Sequence, residues 1–170
     1  EVTRVLFKRC RTARDFMMIS TTELERLIRP TGFYRSKAKY LKGIGALLVE
    51  KFGGRVPKTR EELLQFPGVS FKTANLVMGK AFGVPTGVAV DTHVNRVAPR
   101  LGLTDEKKST EKKAADLEKL YAPEDWLDVN EYFILHGRAV CVPAKPKCPE
   151  CPLRDICPSA KGFIKKFWSR

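Results

Sequence analysis

Apolar residues recur at helical spacing along most of the 170-residue chain, and polar or glycine-proline clusters interrupt them. Val2, Val5 and Leu6 share one helical face, and residues 12–17 allow a further short turn. Thr22-x-x-Glu25 has the form of a capping box, in which hydroxyl and carboxylate each take an amide left over at a helix start. It predicts a helix through Leu24, Leu27 and Ile28 that Pro30 and Gly32 end. A longer helix carries Ala38, Leu41, Ile44, Leu47, Leu48 and Phe52 up to Gly53-Gly54. A second capping box, Thr59-x-x-Glu62, leads through Leu63, Leu64 and Phe66 to Pro67-Gly68, where the fixed φ of proline and the freedom of glycine suit a tight reversal. The next helix starts near Ser70 and runs through Thr73, Ala74, Leu76, Val77 and Ala81. Gly83 and residues 85–87 break the pattern, Val88-Ala89-Val90 leads to Asp91, and a helix with Val94, Val97, Ala98 and Leu101 follows. Two further helices, about 110–121 and 127–140, precede the cysteines and a basic, aromatic tail. No segment alternates as a strand would, and no internal repeat is present, so the expected fold is all-α.

Charge narrows the choice of partner. Lys and Arg number 32 against 19 Asp and Glu, a formal net charge of +13. A polyanion is the natural partner, nucleic acid foremost, with a basic surface kept for solubility as the alternative. No apolar run approaches the roughly 20 residues that cross a bilayer, so the chain reads as soluble with no membrane partner. The helical register already running at Val2 suggests a start inside an element.

Four of the five cysteines lie in one short loop as Cys141, Cys148, Cys151 and Cys157, a C-x6-C-x2-C-x5-C spacing. Pro149, Pro152 and Pro158 each follow a cysteine and keep the loop from becoming helix. Disulfides are one reading, although nothing else suggests a secreted scaffold. Zinc held by four thiolates is a second. Zinc ribbons generally bring two C-x2-C pairs, whereas only Cys148 and Cys151 form one here, and a [4Fe-4S] cluster fits the spacing better. The remaining thiol, Cys10, reads as a small buried hydrophobe. His93 and His136 read as core or hydrogen-bonding side chains, since neither has a second ligand at metal spacing.

The hairpin offers its own chemistry. Amides of Gly68, Val69 and Ser70, beside Pro67, crowd a helix N-terminus, which suits a phosphate. Lys72 falls in the first turn of that helix, and its amine could simply contact the phosphate. Asp91 is placed to cap the helix that follows it. Phe33, in the loop before the long helix, has the plainest reading as a core plug. The tail cations Lys161, Lys165, Lys166 and Arg170 face water while Phe163, Phe167 and Trp168 pack on the domain, with phosphate contact as a second choice.

Taken together, Pro67-Gly68-Val69, Lys72-Thr73-Ala74-Asn75, Val90-Asp91-Thr92-His93, Leu135-His136-Gly137-Arg138 and the cysteine cluster occur in one order. In that order and at nearly that spacing, the chain resembles the endonuclease III family of helix-hairpin-helix DNA glycosylases across roughly its whole length. The resemblance implies two helical lobes: a helix-hairpin-helix lobe over residues 1–103 and an iron-sulfur lobe over 104–170. It implies a [4Fe-4S] cluster on Cys141, Cys148, Cys151 and Cys157, and family helices that would precede Glu1. It implies base excision repair of oxidised pyrimidines in duplex DNA by a monomeric glycosylase that is also an abasic-site lyase. Lys72 would attack C1′, form a Schiff base and lead to β-elimination, while Asp91 takes the amine's proton or offsets the sugar cation. The target base must first leave the stack.

The same resemblance makes Phe33 the apolar wedge in the base stack and Arg35, where relatives often carry a smaller polar residue, the adjoining strand contact. Lys145 and Lys147, with Arg154, would meet DNA backbone beside the cluster. Adenine and thymine-mismatch glycosylases of the superfamily generally lack a lysine at the Lys72 position. Ser70 stands where the family hairpin usually has a second glycine, and Phe71 where a basic or small residue is frequent. If that position needs φ > 0, Ser70 costs about 1 kcal/mol. The alternative is a DNA-binding or damage-sensing module with little glycosylase activity, or with lyase activity alone. The compartment would be the nucleoid in a prokaryote and the nucleus or mitochondrion in a eukaryote.

Overall fold

The computed structural model describes residues 1–168, with side chains through Lys165. Ten α-helices follow in order: α1 Val2–Arg9, α2 Ala13–Met18, α3 Thr21–Ile28, α4 Tyr34–Phe52, α5 Arg60–Leu63, α6 Phe71–Phe82, α7 Thr92–Arg100, α8 Thr110–Leu120, α9 Trp126–Ala139 and α10 Ala160–Trp168. The described residues contain no strand, and none of their helices is long and apolar enough to cross a membrane. The tail cation Arg170 lies outside the described residues, as do the side chains of Lys166, Phe167 and Trp168.

The chain divides into two compact units, Glu1–Ala74 and Asn75–Arg170, so the break falls within the span of α6. This differs from a division at 103, because α7 builds one core with the helices that follow it. Val88, Val90, Val94, Val97 and Ala98 are buried with Leu117, Val129 and Phe133.

In the first unit Leu6, Cys10, Ile19, Leu24, Ile28 and Ala38 form the core. Cys10 is fully buried, as a small hydrophobe would be, and burial pushes its thiol pKa up. Helix α2 crosses α4 at Gly45, where a Cβ would stand 2.8 Å from the Met17 amide nitrogen. Lys42, on α4, donates to the carbonyls of Met17 and Ile19 and so caps the end of α2. Helix α3 starts one residue before Thr22: Ser20 accepts from the Glu23 amide at 3.2 Å, displacing the Thr22-Glu25 box. Glu23 is drawn into this first turn by Arg9, whose Nε lies 2.6 Å from its carboxylate. The Thr59 hydroxyl accepts from the Glu62 amide as expected at the start of α5. Gly53 ends α4 in the left-handed region with φ 59°, its amide returning to the Leu48 carbonyl.

Candidate active site and cysteine centre

The hairpin between α5 and α6 is fixed by α4. The Phe66 carbonyl accepts from the Val69 amide at 3.2 Å and closes the turn. Gly68 has φ 76°, and a Cβ there would stand 2.5 Å from Tyr40 Cδ2. Pro67 packs on Gly43, its Cγ 2.9 Å from where a Cβ would lie. The left-handed conformation and the flat approach to the Tyr40 ring both demand glycine at position 68.

Ser70 corrects an expectation. Phe33 is the single non-glycine residue with positive φ among those described, so Ser70 carries no left-handed strain. Its hydroxyl accepts from the Thr73 amide at 3.4 Å and caps α6, a role in which serine is favoured. Phe71 is half exposed and lies under the Arg60 guanidinium, 5.9 Å from its ring centre. Lys72 follows, exposed in the first turn of α6, with no hydrogen bond or ion pair among the described residues.

Phe33 is 88% exposed at the N-cap of α4, with φ 56° and ψ 34°. A core plug would be covered, and an aromatic residue in the left-handed region is strained by roughly 1–2 kcal/mol. The neighbouring Tyr34 packs on the first core, and Arg35 lies over its ring at 5.7 Å.

Asp91 stands at the start of α7 in the second unit. Its Oδ1 accepts from the amides of His93 at 2.8 Å and Val94 at 2.9 Å, while Oδ2 has no partner among the described residues. The approach to Asp91 is clamped by three side chains that sequence spacing does not reveal. Glu118 accepts from the Val88 amide at 2.9 Å, Asn130 donates to the Ala89 carbonyl at 2.5 Å, and Asn75 accepts from the Thr86 hydroxyl at 2.9 Å. Gly87, at φ 152°, is part of this clamp: a Cβ there would stand 2.6 Å from Glu118 Oε1 and 2.7 Å from Asn75 Nδ2. Any side chain at position 87 would meet both partners.

All four clustered cysteines line one cavity together with Arg100 and His136. The thiols surround this space rather than converging on one point, and no group of three or more His, Cys, Asp or Glu among the described residues meets the spacing of a single ion. Backbone bonds hold the loop: Cys141 N donates to the His136 carbonyl at 2.9 Å, Lys147 N to Val140 at 3.0 Å, and Cys157 N to Leu153 at 3.0 Å. Arg100 ties the two ends together. It donates to the Val142 carbonyl at 2.9 Å, the Pro143 carbonyl at 2.8 Å and Cys141 Sγ at 3.4 Å, and its own carbonyl accepts from Cys157 Sγ at 3.3 Å. Burial first, then the neighbouring Cys141, Cys157 and Cys151, push the Cys148 thiol above its ordinary pKa. His136 Nε2 lies 3.9 Å from Cys151 Sγ, and His93 Nδ1 lies 3.1 Å from Arg96. Lys145 and Lys147 are exposed on this loop, and Arg154 is exposed in an ion pair with Asp155 at 3.0 Å.

A strained exposed aromatic, a glycine-fixed hairpin before a lysine, and a four-thiol loop stand together in a chain whose described residues are helical and without strands. The model of the HhH-GPD superfamily of base excision DNA repair proteins matches residues 1–123, and the chain belongs to that family. It is 47% identical over 164 residues to the endonuclease III of Synechocystis sp., a match covering 95% of this chain and 74% of that protein. A solved non-covalent endonuclease III–DNA complex is similar at a TM-score of 0.92 and 41% identity, over 96% of this chain and 76% of that one. A trapped endonuclease III–DNA covalent intermediate is similar at a TM-score of 0.91, also at 41% identity, over 96% of this chain and 76% of that chain.

Proposed function

We propose that this protein is a base excision repair glycosylase with abasic-site lyase activity, acting on oxidised pyrimidines in duplex DNA. The observation that carries the reading is the placement of Lys72, an exposed amine in the first turn of α6 directly after a hairpin locked by Gly68 against Tyr40. Helix-start amides hold a backbone phosphate and so bring the adjoining sugar to that amine. In this scheme Nζ attacks C1′, and the bond from C1′ to the base breaks with its electron pair leaving on the base, which takes up a proton. The amine's proton passes to a base, the role assigned to Asp91, or to solvent. The C1′–O4′ bond then opens, O4′ taking up a proton, to give a Schiff base that acidifies C2′, and β-elimination expels the 3′ phosphate and cuts the strand there. The Asp91 oxygen not used for capping is assigned the role of offsetting, with its negative charge, the positive charge that develops on the sugar. Similarity to a protein trapped in covalent union with DNA supports a covalent route.

Phe33 is the wedge in this scheme. Its exposure and left-handed backbone suit insertion into a base step, with Arg35 beside it and Lys145 and Lys147 on phosphates. Cys141, Cys148, Cys151 and Cys157 would hold a [4Fe-4S] cluster. Thiols ranged around a cavity suit a polynuclear centre. When bound, such a cluster would hold the loop together through these four thiolates, and Lys145 and Lys147 would meet DNA from that loop.

The reading is tested with a duplex carrying one oxidised pyrimidine, comparing the chain with Lys72→Ala at equal cluster content. Base release with strand cleavage, both lost in the variant, is the expected result. DNA binding without base release or cleavage would support a binding module instead.

A further inference from the structure

Lys113, on α8 in the second unit, is 3% exposed, and its amine donates to the Asn95 side-chain oxygen at 2.6 Å and the Glu106 carbonyl at 2.8 Å. Both acceptors are neutral, and no carboxylate pairs with Lys113 among the described residues. A buried cation without a counter-charge is costly, so native proteins pair such groups. Lys113 also lines a cavity of about 500 Å3 whose walls include Asn95, Arg96, Arg100, Glu106 and Phe163.

The two arginines add to the imbalance. Arg96 donates to the carbonyls of Cys141 and Gly137, both at 3.0 Å, and Arg100 donates to those of Val142 and Pro143. Those carbonyl partners are neutral, although Arg100 also reaches Cys141 Sγ at 3.4 Å and Arg96 reaches His93 Nδ1 at 3.1 Å. Three cations and one carboxylate, Glu106, therefore surround a recess large enough for a polyatomic anion. Low-dielectric walls concentrate that potential.

The geometry points to a phosphate-binding pocket in the second unit, built on Lys113, Arg96 and Arg100 and separate from Lys72 and the hairpin amides. Its ligand chemistry is a tetrahedral oxyanion, supplied either by free phosphate or mononucleotide, or by a duplex backbone. Lys113 provides the buried charge, and Asn95 holds it in place without neutralising it.

The test is a titration with inorganic phosphate at constant ionic strength, chloride making up the balance, followed by thermal melting of the full chain. A saturable rise in Tm is expected. Lys113→Met should abolish it, Asn95→Asp should weaken it at least tenfold by giving Lys113 a carboxylate of the same size, and Glu106→Gln should tighten it several-fold. The Asn95→Asp arm stands if Lys113→Met does not fold. Duplex DNA added in competition separates the two sources: displacement of phosphate assigns the pocket to backbone, and retention with displacement by thymidine monophosphate assigns it to free ligands. No saturable response, or one that persists in both Lys113→Met and Asn95→Asp, would overturn the proposal.

Discussion

The Asp91 carboxylate and the Val94 amide are joined by a 2.9 Å hydrogen bond through Oδ1, the same oxygen that accepts from His93. One oxygen thus does the structural work of starting α7. The arrangement allows capping and catalysis to be separated by substitution. Asp91→Asn keeps an acceptor at the cap and should change stability by only a few tenths of a kcal/mol, whereas Asp91→Ala should cost about 1 kcal/mol. Both remove the carboxylate, and both should slow single-turnover base release by about 10²-fold or more. If Asp91→Asn retained full activity, Asp91 would be a cap alone.

Phe33 should show stability and function moving in opposite directions. Phe33→Gly relieves a left-handed aromatic that covers little, and should raise stability by about 1 kcal/mol in denaturant melts. The same change removes the proposed wedge. Fluorescence of a base analogue opposite the lesion should then report slower extrusion, and an unchanged rate would argue against insertion.

On the proposed reading Lys145 and Lys147 contribute charge rather than chemistry. Replacing both by Gln should weaken duplex binding at low salt and lower the slope of log K against log salt by about 2. The rate of strand cleavage by bound enzyme should stay within about twofold. A slope unchanged by the double replacement would remove these residues from the interface.

The acid side of the stability curve carries a mark from Asp15. Backbone hydrogen bonds from Arg11 and Thr12, then the Thr12 hydroxyl, hold its carboxyl below the ordinary value of 3.8. A lowered pKa in the fold means this contribution is present above pH 3.8 and is lost as pH falls through the folded value. Asp15→Asn should therefore melt below the wild type at pH 6, with the difference shrinking below pH 3.8. A constant difference across that window would contradict the cap geometry.

Local patterns carried the helices, the hairpin and the cysteine loop, since period, proline-glycine punctuation and spacing are all written within a few residues. Long-range partners are not. Glu118 on Val88, Asn130 on Ala89, Lys42 on the end of α2 and Lys113 on Asn95 join residues 18 to 41 positions apart, and nothing near either partner signals them. Ser20 and Thr22 both satisfy the capping pattern, and Arg9, distant in sequence, favours the earlier start through Glu23. Ser70 shows the converse: a family glycine suggests a left-handed backbone, yet the serine takes up the cap of α6 instead.

The central claim is that the Lys72 amine forms the covalent bond to DNA. Borohydride reduction during reaction with a duplex containing one abasic site tests it directly, since only a Schiff base is trapped. A stable protein–DNA adduct, mapped by mass spectrometry to Lys72 and missing from Lys72→Ala at equal cluster content and DNA binding, is the predicted result. An adduct of equal yield in the Lys72→Ala variant, or none from the cluster-loaded, DNA-binding wild type, would contradict it.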